Sequence, residues 1–195
     1  MERSVLVPAL IHPEKPEPIK DNRLFSAHGP RLLCQYRSYS MELLIFAGLQ
    51  ASGKSTFYRT HFATTHVLVS KDLMPNNKKH SLRQHQLIEE AFQAGSSVVV
   101  DNTNPMLEDR AELIQLGRMY NAEIIGYYFI PEVRQSLARN KQRAGKAKVP
   151  DIAIFATMKR FVQLTYEEGF DHLFYVSAND DGTFNISCGL RENNG

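Results

Sequence analysis

Apolar and polar positions fall into two alternating rhythms along this chain, and the blocks that carry them begin only after residue 40. The first block, Leu43-Leu44-Ile45-Phe46-Ala47, is unbroken by any polar residue and is closed by Gly48. Such a run suits a strand buried on both faces. Short runs rich in β-branched and aromatic residues recur at 66–70, 98–100, 123–130 and 172–176. Longer stretches with helical spacing lie between them. One covers about 53–63. A second, 81–94, is ended by Gly95. A third is capped by Asn104, takes Pro105 in its first turn and runs to about 120. A fourth opens at Pro131 and carries Arg134, Arg139 and Arg143, and a fifth covers 151–168. Strand and helix in strict alternation predict an α/β fold, with a five-stranded parallel sheet sandwiched between helices. In such sheets ligands collect beyond the C-terminal ends of the strands, where Gly48, Ser70 and Asp101 fall.

The ends of the chain read differently. Residues 1–40 hold five of the nine prolines and no sustained apolar period. They are expected to form an extended, poorly ordered leader. Met41, directly before the first strand, is a second expected start of translation. The 41–178 region is expected to be the folded domain. The tail, 179–195, has a turn signal at Asp180-Asp181-Gly182-Thr183, then Phe184-Asn185-Ile186, which predicts a short edge strand.

Composition narrows the picture only a little. Charged residues make up 23% of the chain and the net charge is +2, so overall charge does not mark a nucleic-acid binder. Two cysteines without metal-ligand or disulfide spacing, and seven histidines without it either, argue against a structural metal and fit a reducing, cytoplasmic setting. The apolar runs are strand-sized, so no membrane span is expected.

The candidate chemistry starts at the end of the first strand. Gly48-Leu49-Gln50-Ala51-Ser52-Gly53-Lys54-Ser55-Thr56 is a complete G-x-x-x-x-G-K-[ST] loop, placed between a strand and a helix as this motif requires. The glycines let successive N–H groups turn inward as an anion nest, and the following helix directs its positive end at the same point. Lys54 is expected to reach the β- and γ-phosphates of ATP, and Ser55 to ligate Mg²⁺.

Three further groups stand at the strand ends. Asp72, two residues past the second strand, is placed to accept the proton of an attacking hydroxyl, although an aspartate there is also a common cap. Asp101 ends a buried strand beside the phosphate loop, a position suited to Mg²⁺ or its waters. Asn102, Thr103 and Asn104 follow it and exceed what one cap requires, which makes them candidates for substrate contact. Finally, Arg139, Lys141, Arg143, Lys146 and Lys148 put five cations in ten residues around Gly145, stopped by Pro150. A charge run is usually a solvated face. Its position before the last helix matches a mobile lid, with Arg139 and Arg143 one helical turn apart.

Taken together, GLQASGKST, SKD, VVVDNTNP and RNKQRAGKAKVP resemble the kinase domain of polynucleotide 5′-hydroxyl kinases over roughly residues 41–176. The resemblance implies a P-loop kinase fold and transfer of the γ-phosphate of ATP–Mg²⁺ to a hydroxyl acceptor, such as a nucleic-acid 5′ end. It also implies roles: Lys54 and Ser55 on ATP and metal, Asp72 as general base, and Arg143 as the lid arginine. The chain departs from the family at Pro75, where an arginine three residues beyond the catalytic aspartate grips the acceptor's phosphate. Lys71, Lys78 or Lys79 would have to substitute for it. Two other readings stand beside this one: a small-molecule or nucleotide-sugar kinase on the same scaffold, and an ATP-hydrolysing switch that drives a partner.

Overall fold

The structure is a computed structural model that describes residues 41–74, 80–179 and 181–190. The leader expected over 1–40 lies outside the described residues, as do Pro75, Lys78, Lys79 and Asp180. Six strands, β1 (Glu42–Ala47), β2 (His66–Val69), β3 (Ser97–Asp101), β4 (Glu123–Phe129), β5 (His172–Ala178) and β6 (Phe184–Cys188), form one sheet among the described residues. Their order is β2-β3-β1-β4-β5-β6. The first five run parallel, and β6 joins β5 antiparallel at the edge through Val176↔Ile186 and its neighbours. The sheet is therefore mixed, one strand wider than the five-stranded parallel core, and the extra strand is the one the tail foreshadows.

β1 sits in the middle, hydrogen-bonded to β3 on one side and β4 on the other. That placement explains its uninterrupted apolar run. Leu43, Ile45 and Ala47 face one layer, with Ile88, Phe92, Leu113 and Ile114. Leu44 and Phe46 face the other, with Phe57, Phe62, Tyr127 and Phe129. Of these, Phe57 comes from α1 (Lys54–His61), Ile88 and Phe92 from α2 (His80–Gln93), and Leu113 and Ile114 from α3 (Leu107–Met119), while Tyr127 and Phe129 belong to β4. The chain leaves β1 toward β2 and then reverses direction through β3 to β4. Right-handed crossovers then put α1 on the face opposite α2 and α3. The reversal occurs at β1 and opens the crevice where such sheets bind ligands.

Helix boundaries differ from the expected ones, two of them for identifiable reasons. α3 begins at Leu107, not at Pro105. Asn104 is not its cap: it adopts a left-handed φ of 40° and donates its amide to Phe46 O at 2.8 Å. The first turn is closed by Asp109, whose carboxylate accepts from Met106 N. The last long helix, α5 (Asp151–Arg160), stops eight residues short of the expected end at 168. Phe161 turns extended, and Val162 N donates to Pro105 O at 2.8 Å, which carries the chain across to the loop after β3. A 3₁₀ turn at Tyr166–Glu168 follows. The fourth helix, α4 (Val133–Lys141), starts two residues past Pro131 and packs against α5.

Candidate active site

The loop after β1 is shaped by its backbone. Ala51 and Gly53 have φ values of 60° and 101°, in the left-handed region that turns successive amides inward. Gly53 then opens α1, with Phe57 N bonded to Gly53 O at 2.9 Å. Gly48 is needed for a different reason. A Cβ there would lie 2.6 Å from the Phe129 Cβ and 3.2 Å from the Phe129 carbonyl, neither of which can swing aside.

Lys54 is buried beneath this loop. Its ammonium donates to Gly48 O at 3.0 Å, Leu49 O at 2.6 Å and Ser52 Oγ at 3.3 Å. Burial is the main cause lowering its pKa to about 8. The Arg143 guanidinium adds to the lowering, while Asp101 and Asp72 oppose it. Ser55 Oγ donates to Asp101 Oδ2 at 2.6 Å. Burial pushes the Asp101 carboxyl above its ordinary range, against the opposing pull of Lys54 and the Ser55 hydrogen bond. Asp72 and Arg143 act on both Lys54 and Asp101, so one electrostatic field joins all four groups. A hydroxyl and a carboxylate in contact suit Mg²⁺, which keeps several waters and takes its other ligands from phosphates. No cluster of three or more His, Cys, Asp or Glu that could enclose a metal exists among the described residues.

The four polar residues after β3 tie the strand ends together. Asn102 accepts from Lys71 N at 2.9 Å and donates to Gln84 Oε1 at 3.0 Å. The Thr103 carbonyl accepts from Gly48 N at 3.0 Å, while its side chain is half-buried. Asn104 braces the end of β1. The amides of Asn102 and Asn104, read from the sequence as substrate contacts, are thus committed within the chain. Asp72 is exposed in a 3₁₀ turn, Lys71–Leu73, whose first N–H groups are capped by Ser70 Oγ at 3.4 Å from Asp72 N.

The lid differs from expectation in one respect. Arg139 and Arg143 do not share a helix face at the phosphates. α4 ends at Lys141, and Arg143 lies beyond it, donating to Ala147 O at 3.2 Å. Arg139 donates instead to the carbonyls of Ala178 and Asn179 at 3.0 and 3.1 Å, which holds the turn between β5 and β6. Thr56 lies exposed on α1, and its Oγ1 accepts from Arg59.

Two supporting residues escaped the sequence reading. Arg110, fully buried, donates to both Glu168 oxygens at 2.6 and 2.9 Å and to the carbonyls of Asn104 and Val162. Asn140, also fully buried, donates to Val149 O and Asp151 Oδ1 and accepts from Val149 N, which ties the end of α4 to the start of α5. The signal was a polar side chain on the inward side of its helix, which becomes readable only once that side is known.

A loop of this shape, joining the central strand of a parallel sheet to its first helix, defines the phosphate-loop nucleotide-binding folds, and the chain falls in that class. Within it, residues 43–165 match the sequence family described as AAA domain, and the chain belongs to that family. It is 27% identical over 143 residues to the bifunctional polynucleotide phosphatase/kinase of Schizosaccharomyces pombe, a match covering 70% of this chain and 34% of that protein. The chain therefore spans about a third of that relative's length. Among solved structures, a fungal RNA kinase superposes with a TM-score of 0.57 at 16% identity, over 78% of this chain and 40% of the other. Kti12 of Chaetomium thermophilum, in complex with ADP-AlF3, superposes with a TM-score of 0.56 at 15% identity, over 71% of this chain and 90% of the other. Both structural matches concern the fold. No helix among the described residues is long and apolar enough to cross a membrane.

Proposed function

We propose that this chain is an ATP-dependent kinase that moves the γ-phosphate to a hydroxyl acceptor, and that the acceptor is the 5′-hydroxyl of a nucleic acid. The observation that carries the reading is the contact of Ser55 Oγ with Asp101 at 2.6 Å, with the Asp101 carboxylate in the electrostatic field of the buried Lys54 ammonium. Charge and metal-binding groups are assembled there around a loop built for phosphates. The named kinase among the sequence relatives supports the reaction class.

The backbone of the phosphate loop and the Lys54 ammonium hold the phosphates in line. Ser55 and Asp101 would hold Mg²⁺, which would supply neutralisation of the negative charge on the phosphates. Asp72 takes the acceptor hydroxyl's proton as that oxygen bonds to the γ-phosphorus and the β–γ bridging oxygen leaves with its electron pair. Arg143, whose charge already reaches Lys54 and Asp101, closes on the oxygens where negative charge accumulates.

A second reading, phosphorylation of a small alcohol, is favoured by Pro75 in the place of the acceptor-gripping arginine. The purified chain, γ-labelled ATP–Mg²⁺, 5′-OH DNA and RNA oligonucleotides and a set of small alcohols separate the alternatives. Label on an oligonucleotide is the expected result. Label on a small alcohol alone selects the second reading. Phosphate release with every acceptor unlabelled overturns kinase action in favour of a hydrolytic switch.

A further inference from the structure

Gln50, at the crest of the phosphate loop, holds a hydrogen bond that the transfer chemistry does not use. Its Nε2 donates to Thr157 Oγ1 on α5 at 2.9 Å, across 107 residues of sequence. Thr157 is buried, and its hydroxyl donates to Ala153 O at 2.9 Å, which leaves its oxygen to accept from Gln50. With that donor in place, the Gln50 amide presents its Nε2 to Thr157. Gln50 Oε1 is buried and has no partner among the described residues. A leucine or methionine at this position would avoid that cost, so what the glutamine contributes is its donor to α5.

α5 is also the helix onto which the lid opens. The lid's two ends are joined by Asn140, bonded to Val149 at both N and O and to Asp151, the first residue of α5. A continuous path therefore runs from the lid base at Asn140 and Asp151, along one rigid helix, through Thr157 to Gln50 on the phosphate loop. We propose that Gln50 is a positioning residue that latches the loop crest to α5 and so sets the register between the bound phosphates and the lid carrying Arg143. The catalytic part of this proposal rests on the kinase reading; the latch does not.

Amide exchange in the nucleotide-free protein tests the latch, and steady-state kinetics tests its consequence. Thr157→Val and Gln50→Leu are each expected to speed exchange at Ser52, whose N–H is bonded to Leu49 O at 3.3 Å, by about tenfold, with β3 unchanged. Both are expected to lower kcat about tenfold with the KM for ATP within about twofold, since misregistered groups lose transition-state rather than ground-state contacts. Thr157→Ser, which keeps the acceptor, restores both readouts, and the double variant Gln50→Leu/Thr157→Val is no worse than either single one. Loop exchange within twofold of wild type in both single variants overturns the latch. Faster exchange with an unchanged kcat overturns its role in transfer. If the wild type transfers no phosphate, the proposed function fails, and the exchange measurement still decides whether the latch exists.

Discussion

At the scale of single residues, the most costly group in the site is Lys54. Its ammonium is fully enclosed, and three oxygens of its own loop solvate it in place of water. In the unfolded chain this lysine titrates at its ordinary 10.5, and in the folded protein at about 8. A depressed folded pKa means a contribution to stability that is present above 10.5 and lost as pH falls through 8, where the folded protein must hold a buried cation. The difference corresponds to roughly 3 kcal/mol at neutral pH, the cost of keeping a phosphate-binding charge ready. The stability of wild type relative to Lys54→Met is therefore expected to rise between pH 8 and 10.5. Urea unfolding at a series of pH values measures it, and a flat difference would count against the buried charge. The positions of Lys54 and Ser55 are legible from the loop motif, and that of Asp101 from its place at the end of a buried strand beside the loop. Gln50 was legible only as a loop position, since its partner Thr157 lies 107 residues away.

At the scale of elements, Arg110 joins three segments that local pattern leaves separate: α3, the loop after β3 and the chain beyond α5. It contacts Asn104 O, Val162 O and both oxygens of Glu168, itself almost fully buried. Removing one partner of a buried pair leaves an uncompensated charge, so Glu168→Ala is expected to cost about 3–5 kcal/mol. Replacing both, as in Arg110→Met/Glu168→Leu, is expected to cost markedly less. Chemical denaturation of the three proteins checks this, and equal losses would show that the pair acts through packing alone. The same bonds explain why α5 was read too long. Phe161, Val162 and Leu164 continue an apolar pattern without glycine or proline, so nothing local stops the helix. It ends because Val162 is drawn to Pro105 and Arg110, and tertiary contact overrides propensity. Likewise Asn104 looked like a cap because caps are local, whereas its amide is taken by Phe46 O, 58 residues earlier.

At the scale of the molecule, the reversal of strand order at β1 brings the ends of β1, β2 and β3 to one crevice. Hydrogen bonds then lock them to one another: Gly48 N to Thr103 O, Asn104 to Phe46 O and Asn102 to Lys71 N. The five parallel strands were readable because each is a distinct apolar run, and their order follows from crossover handedness more than from any residue. The lid's arrangement was not, because a run of cations says nothing about which of them turn inward. Arg139 is committed to the β5–β6 turn, while Arg143 shares the electrostatic field of the phosphate loop. Asp72 stands exposed in the turn after β2, and the proposed transfer depends most on its role as base. A single-turnover quench measurement with γ-labelled ATP–Mg²⁺ and a 5′-OH oligonucleotide tests it most directly, comparing wild type with Asp72→Asn. The expected result is transfer slowed by about a hundredfold or more, with nucleotide affinity within about twofold of wild type. Transfer by Asp72→Asn at the wild-type rate would show that Asp72 is not the base.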